Sequence, residues 1–203
     1  MSIFKNNLYD IVKLYINQLG ITIFSVFLYT AIPTDPDFPF DTLRIVVSVF
    51  SILFYLVLIY NVVWEIGAKD RIRIDSKGCE PQPLKGMVMG LFANLPNLVL
   101  ASFATLFCLL YVTGGVEWAS SVFVVLFVIV RFHAAMYMGL IQGVTPAAPG
   151  GAASMEVFGD ALMESVWFII LPLVAVALTQ LSYWLGTKEF KLFGFLSSSK
   201  PKK

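Results

Sequence analysis

The sequence has little charge, one histidine and two cysteines. Only 13% of its 203 residues are charged, about half the share of a typical soluble domain. One histidine excludes a metal site built from two histidines of the same chain, and Cys79 and Cys108, in a charged and an apolar stretch, predict no disulfide. The net charge of +1 comes without a basic face for phosphates. We therefore expect no metal, no cofactor and no nucleic-acid partner.

The common motifs of enzymes are missing as well. The chain has no H-E-x-x-H metal helix, no G-K-[ST] phosphate loop and no G-x-S-x-G nucleophile turn. The stretch "GDALMES" (159–165) offers two carboxylates and a serine without a partner base at a suitable spacing. We predict that the protein is not an enzyme and has no catalytic residue.

Apolar residues make up 58% of the chain and recur in long uncharged runs. Runs of about 18 or more such residues are typical of helices that cross a bilayer. We predict an all-α, polytopic transmembrane helix bundle forming a single integral membrane domain over 1–203. Prolines inside two spans, Pro96 and Pro172, predict kinks. The expected spans are five: about 8–31, 43–64, 86–112, 119–143 and 161–186.

The distribution of lysine and arginine predicts the orientation. Loop 65–85 is rich in both, whereas "IPTDPDFPFD" (32–41) has three aspartates and no basic residue. Because cytoplasmic loops carry the basic excess, the N-terminus and loop 65–85 are expected in the cytoplasm of a multi-pass plasma-membrane protein. The Lys-rich tail, 187–203, conflicts with five crossings, which place it outside. Either the tail is external, or 119–143 or 86–112 is re-entrant or interfacial.

Arg131 and His133 stand in the apolar stretch "VIVRFHAAMYMG" (128–139). An arginine at the centre of a membrane helix costs about 2.5–3.5 kcal/mol on insertion scales, so it normally faces a bundle interior, a cavity or a partner. With five spans, Arg131 lies about 18 Å from the cytoplasmic end of its helix. It is either a substrate site or an arginine satisfied by packing, and packing is the stronger alternative for His133.

Asn94 and Asn97 share one face of the third span at a depth similar to that of Arg131. Glu164, one turn inside the fifth span, is the best counter-ion for Arg131 or a proton-titrating group. We therefore predict a substrate-binding set of Arg131, His133, Asn94, Asn97 and Glu164. The alternative for the asparagines is hydrogen bonding between helices, worth about 0.6 kcal/mol per bond.

Two functional hypotheses follow from these residues. In the first, the protein is a small-solute transporter or the membrane subunit of a transport complex. In the second, it is a non-catalytic accessory or scaffold protein that docks a cytoplasmic partner through Lys69, Arg71 and Arg73 of loop 65–85, which could form a short hairpin. Both imply the lipid bilayer as surroundings and allow another membrane or cytoplasmic subunit, or a homo-oligomer.

Several short stretches carry a resemblance. They are "WEIGAKDRIRID", "KGMVMGLFANLPNLVL", "AAMYMGLI" and "LSYWLG" followed by a lysine tail. In this layout the chain resembles a group of uncharacterised multi-span membrane proteins of Gram-positive bacteria. The resemblance implies a location in the bacterial plasma membrane, and because that group has no assigned activity, it implies no mechanism.

Overall fold

The computed structural model describes residues 7–32, 40–78, 80–144 and 155–190, and these are helical apart from short turns. No strand occurs in these ranges, so the predicted all-α fold is confirmed there. The helices are α1 (Leu8–Thr30), α2 (Phe40–Lys77), α3 (Lys85–Val112), α4 (Glu117–His133), a 3₁₀ turn (Ala135–Tyr137), α5 (Met138–Val144) and α6 (Met155–Thr187).

Four of these helices, α1, α2, α3 and α6, are long and apolar enough to cross a membrane. Their lengths and composition fit an integral membrane protein. The predicted 119–143 segment is different, because α4 and the helical stretch after it are bent by 76° at a short break. The loops predicted at 32–41 and 144–160 and the tail beyond Phe190 lie largely outside the described residues.

The charged segment 65–85 is mostly not a loop, and the hairpin expected there is wrong. Helix α2 continues to Lys77, and its charges pair one turn apart: Lys69 with Glu65 and Arg71 with Asp75, each at 2.7 Å. Such i, i+4 pairs favour a helix over alternating strands. Gly78 ends it in the left-handed region at φ 61°, and its N–H bonds the carbonyl of Ile74.

Helix α3 is not broken at Asn94–Asn97. It runs without interruption from Lys85 to Val112 with Pro96 inside, and Pro172 lies inside α6 in the same way. A proline removes one helical donor, and in a membrane helix neighbouring groups commonly satisfy the backbone. Both helices are therefore continuous through their prolines, and the break considered for the third span does not occur.

Helices α2, α3 and α6 meet closely at one end of the bundle, which we call the charged end. Gly67 of α2 and Gly186 of α6 lie against each other, with Cα of one 3.1 Å from the position a Cβ would take on the other. On α3, a Cβ added to Gly86 would come within 2.6 Å of the Tyr183 Cβ. Only glycine permits this backbone approach. The start of α1 lies there too, since Lys13 and Asp10 interact electrostatically with residues near the end of α2.

The opposite end, which we call the far end, holds the ends of α1 and α3 and the starts of α2 and α6. Cys108 donates its S–H to the Phe158 carbonyl there, and the ring of Phe158 contacts Phe123 of α4 at 5.8 Å. After the break, the chain returns: the Gly139 N–H bonds Ser48 Oγ at 2.7 Å, and Gly143 packs on Ile45 near the start of α2. The α4–α5 element thus begins and finishes at the far end.

Candidate functional site

Arg131 and Glu164 form an ion pair between α4 and α6. The guanidinium Nε donates to Oε1 at 2.9 Å and Nη2 donates to Oε2 at 2.6 Å. The arginine also lies 4.6 Å above the ring of Phe127. A two-point contact of this kind fixes both side chains and balances their charges. The counter-ion that the sequence suggested for Arg131 is therefore the one it contacts.

The ion pair that Arg131 forms lies nearer the far end than the asparagines of α3 do. The ion pair lies beside Ser165, whose hydroxyl accepts a hydrogen bond from Thr105 at 3.1 Å. Asn97 is eight residues before Thr105 on α3, which is about 12 Å along a helix axis.

His133 is held by α1 rather than turned toward Glu164. Its Nε2 lies 3.4 Å from the Tyr15 hydroxyl, and its Nδ1 lies 3.2 Å from the carbonyl of Ile129. Its own carbonyl accepts a hydrogen bond from Thr22 Oγ1 at 3.0 Å. These contacts secure the last turn of α4 against α1, as the packing alternative for this histidine predicts.

Four polar side chains face the interior in the middle of the bundle. Asn94 and Asn97 are each 1% exposed and lie about 14 and 18 Å from the start of α3. Gln18 of α1 and Ser51 of α2 are equally buried, each about 16 Å along its helix. We call these four residues the core polar cluster. The sequence signalled the two asparagines, whereas Gln18 and Ser51 were missed, although each stands in an apolar run.

The core polar cluster retains hydrogen-bonding capacity that the described residues do not use. Asn94 donates Nδ2 to the Gly90 carbonyl at 3.0 Å. Five other atoms have no hydrogen-bond partner within the described chain: Gln18 Oε1, Ser51 Oγ, Asn94 Oδ1, and Oδ1 and Nδ2 of Asn97. Leaving one such atom buried and unsatisfied costs about 1–3 kcal/mol. Groups of this kind ordinarily bind water or another ligand.

The break between α4 and α5 meets this cluster. Tyr55 of α2 lies beside the Asn94 amide, and Tyr137 of the 3₁₀ turn lies close to Tyr55. All of the residues from Ala134 to Tyr137 are buried. Non-helical backbone at membrane depth occurs only where protein buries it or where it lines a cavity. The buried turn between α4 and α5 therefore lies close to Tyr55, the neighbour of Asn94.

The basic residues predicted to bind a partner are engaged within α2. Besides the pairs at 2.7 Å already described for Lys69 and Arg71, Arg73 lies 3.6 Å from Asp70 Oδ1. The hydrogen bond from Lys69 lowers the pKa of the Glu65 carboxyl. All three basic side chains remain exposed at the charged end, where a partner could reach them.

A further ion pair at the charged end, between α3 and α2, was not foreseen from the sequence. Lys85, the first residue of α3, is 5% exposed and its Nζ lies 2.7 Å from Asp70 Oδ2. The Tyr183 hydroxyl of α6 donates to the same oxygen at 3.0 Å. One carboxylate thereby joins three helices. Its partners lie 15 and 113 residues away along the chain, so no local spacing indicates them.

The described residues contain no group of three or more His, Cys, Asp or Glu that could hold a metal ion. No protein-family model, no curated protein and no solved structure matches this chain. The class that the fold defines is thus a helical bundle with the dimensions of an integral membrane protein, and its activity has to be argued from its own residues.

Proposed function

We propose that the protein is a small-solute transport protein, or the membrane subunit of one, with the core polar cluster on the path of the solute. The unpaired atoms of Asn97 are the observation that carries this proposal. Both its amide oxygen and its amide nitrogen are buried in the middle of the bundle and have no partner in the described chain. Interhelical hydrogen bonding, the structural alternative, requires the bonds that Asn97 does not make.

The α4–α5 element supports the same proposal. Transporters commonly form their solute sites near the bilayer midplane from helices that are interrupted there. Here Tyr137 of the interruption at Ala134–Tyr137 lies close to Tyr55, which lies beside Asn94. Arg131 and Glu164 then act outside the solute site, as the ion pair that holds the first arm of this element to α6, and His133 holds it to α1.

The orientation that we propose follows from the same element. If α4–α5 enters and leaves the membrane at the far end, the chain crosses four times. The N-terminus, the charged end of α2 and the tail after α6 then share one side. The positive-inside rule assigns that side to the cytoplasm of a plasma-membrane protein. Four crossings remove the conflict over the lysine-rich tail, because its side now agrees with that of Lys69 and Arg71.

Cysteine labelling in membrane vesicles tests whether water reaches the cluster. In a Cys79→Ser, Cys108→Ser background, we expect Asn97→Cys to react with a small charged methanethiosulfonate reagent. Two variants on the same helix are matched controls: Ser102→Cys faces outward, and Ala104→Cys is fully packed at 0% exposure. Both should stay unlabelled. An Asn97→Cys variant that resists the reagent from either side would remove the proposed path.

The same background measures the number of crossings. Lys188→Cys and Thr113→Cys, both exposed, should be labelled from opposite sides of the membrane. Five crossings would place them on the same side.

Light-scattering measurements on proteoliposomes, with urea and glycerol as probes, compare the solute permeability of the unsubstituted protein with that of Asn97→Leu. Ser102→Leu is the lipid-facing control.

The accessory hypothesis makes a different prediction for the same molecule. A scaffold protein would use the exposed surface of α2 at the charged end and would have a dry core. Reversing Lys69, Arg71 and Arg73 to glutamate should then remove a partner in a pull-down and leave Asn97→Cys inert. Because the unpaired amide of Asn97 lies in the core and not on this surface, we favour the transport proposal.

A further inference from the structure

A groove of about 290 Å³ opens at the charged end, between the last turns of α2 and α6. Segment 81–83 forms its third wall. The residues that line it include Arg71, Tyr183, Trp184, Thr187 and Lys188. Apolar and basic side chains therefore share one concave surface, and none of the lining residues is acidic.

The groove is fixed on each side by contacts already formed. Gln180 of α6 donates Nε2 to the Pro83 carbonyl at 2.7 Å and accepts the Met87 N–H at 2.8 Å. After Lys188 the chain turns at Glu189, with φ 56°, and the Phe190 N–H bonds the carbonyl of Leu185. Trp64 of α2 then donates Nε1 to the Phe190 carbonyl at 2.9 Å. A preformed site loses little ordering entropy when it binds a ligand.

The two cations of the groove have donors available for an anion. Lys188 makes no ion pair in the part of the chain that the structure describes. Arg71 uses Nε for Asp75 at 2.7 Å, and its side chain is 45% exposed. The terminal guanidinium nitrogens of an arginine are well suited to two oxygens of a phosphate. An exposed pair with Asp75 is worth at most about 1 kcal/mol, so it exchanges easily.

The position of the groove selects the source of that phosphate. The apolar part of α2 ends at Trp64, and α3 begins its apolar run after Lys85. Trp184 lines the groove and is 52% exposed, and Leu181, one turn nearer the membrane centre, is 47% exposed. Tryptophans at this level mark the boundary between bilayer and water. An acyl chain can follow Leu181 and Trp184 while its headgroup lies at Lys188.

We propose that this groove binds the headgroup of an anionic phospholipid of the cytoplasmic leaflet, with Arg71 and Lys188 holding the phosphate. Basic pockets between membrane helices on that side are typical sites for such headgroups. The proposal requires the protein to be in a membrane but is independent of transport. It assigns to Arg71 a lipid partner in place of the protein partner expected from the sequence.

Native mass spectrometry of the full chain in detergent tests this proposal, with phosphatidylglycerol and phosphatidylcholine as probes. We expect the unsubstituted protein to retain phosphatidylglycerol preferentially. Arg71→Gln with Lys188→Gln should weaken this binding about tenfold. Lys69→Gln with Arg73→Gln is the matched control, since it removes the same charge from exposed residues outside the groove, and it should change binding less than about twofold.

A further variant, Thr187→Phe, fills the groove and keeps every charge. Weaker phosphatidylglycerol binding in this variant supports a lipid in the groove. This test holds even if the variant with Arg71→Gln and Lys188→Gln does not fold. Equal losses in the groove and control variants indicate attraction to surface charge in general and overturn the proposal. Displacement of the lipid by inorganic phosphate alone identifies a free-phosphate site and overturns the proposal. Equal retention of phosphatidylglycerol and phosphatidylcholine overturns it as well.

Discussion

The charged end and the middle of the bundle treat buried polar groups in opposite ways. At the charged end the Asp70 carboxylate accepts bonds from Lys85 and Tyr183, and glycines bring three helices into backbone contact. In the middle, Asn97 is 1% exposed and makes no hydrogen bond within the described chain. Paired polar groups stabilise the fold, whereas unpaired buried ones destabilise it.

The two regions therefore differ in packing along the bundle axis. The charged end is held by contacts that leave no room for rearrangement, since a single Cβ on Gly67 or Gly186 would overlap the backbone of the other helix. The middle combines unsatisfied amides with a helix break at Ala134–Tyr137. Regions that bind ligands and move are drawn from the less stable parts of a structure. The comparison therefore predicts opposite effects of substitutions in the two regions.

The largest effect is expected at the glycine contact of the charged end. Gly67→Val would place its side chain into the Tyr183 carbonyl and the Gly186 backbone, so that α2 and α6 have to separate. Overpacking of this kind costs about 1–3 kcal/mol, and rigid backbone neighbours put Gly67 at the upper limit. We expect a marked fall in the melting temperature of the purified protein. Gly20→Val is the control, because nothing lies within 4 Å of its added Cβ. Equal melting temperatures of the two variants would contradict the close contact.

A smaller loss is expected when the ion pair between α4 and α6 is broken. Glu164→Gln leaves the Arg131 charge without its two-point partner. Removing one member of a buried pair costs about 3–5 kcal/mol, and since the Arg131 side chain is 42% exposed we expect about 2 kcal/mol. A double-mutant cycle with Arg131→Leu and Glu164→Leu measures the coupling in the melting temperature or free energy of unfolding. If the two losses simply add, the pair does not stabilise α4 against α6.

Much of the fold could be predicted from hydrophobic runs, because membrane helices are determined by local composition. The bounds of α1 and α3 agree with the expected segments to about one residue. The extension of α2 was missed since its alternating pattern was interpreted as a hairpin, although Glu65–Lys69 and Arg71–Asp75 have helical spacing. The break in α4–α5 contains no proline, and it depends on contacts such as Gly139 with Ser48 that are distant in sequence.

The candidate site was only partly predictable for the same reason. A charged residue in an apolar run has to find a counter-ion, and Glu164 was the nearest acid inside a span, so its pairing with Arg131 followed from few alternatives. Depth along the bundle, by contrast, depends on which helices cross. The sequence therefore placed Arg131 and Asn97 at a similar depth, whereas the structure pairs Arg131 with Glu164. Asp70 and Tyr183 gave no signal at all, because their bond joins residues 113 positions apart.

The smallest effect on stability is expected at Asn97, and its sign decides what the core polar cluster is for. Asn97→Leu keeps the branching at Cγ and removes two buried atoms that have no partner in the described chain. The free energy of unfolding should stay within about 0.5 kcal/mol of that of the unsubstituted protein or rise, because an apolar group at such a site costs less than an unsatisfied amide. An asparagine that joins helices would instead lose stability on this substitution. Unchanged or higher stability, together with lost solute permeability, identifies a residue retained for binding at the expense of stability. A clear fall in the melting temperature would show that Asn97 makes stabilising hydrogen bonds. The middle of the bundle would then not differ from the charged end in this respect.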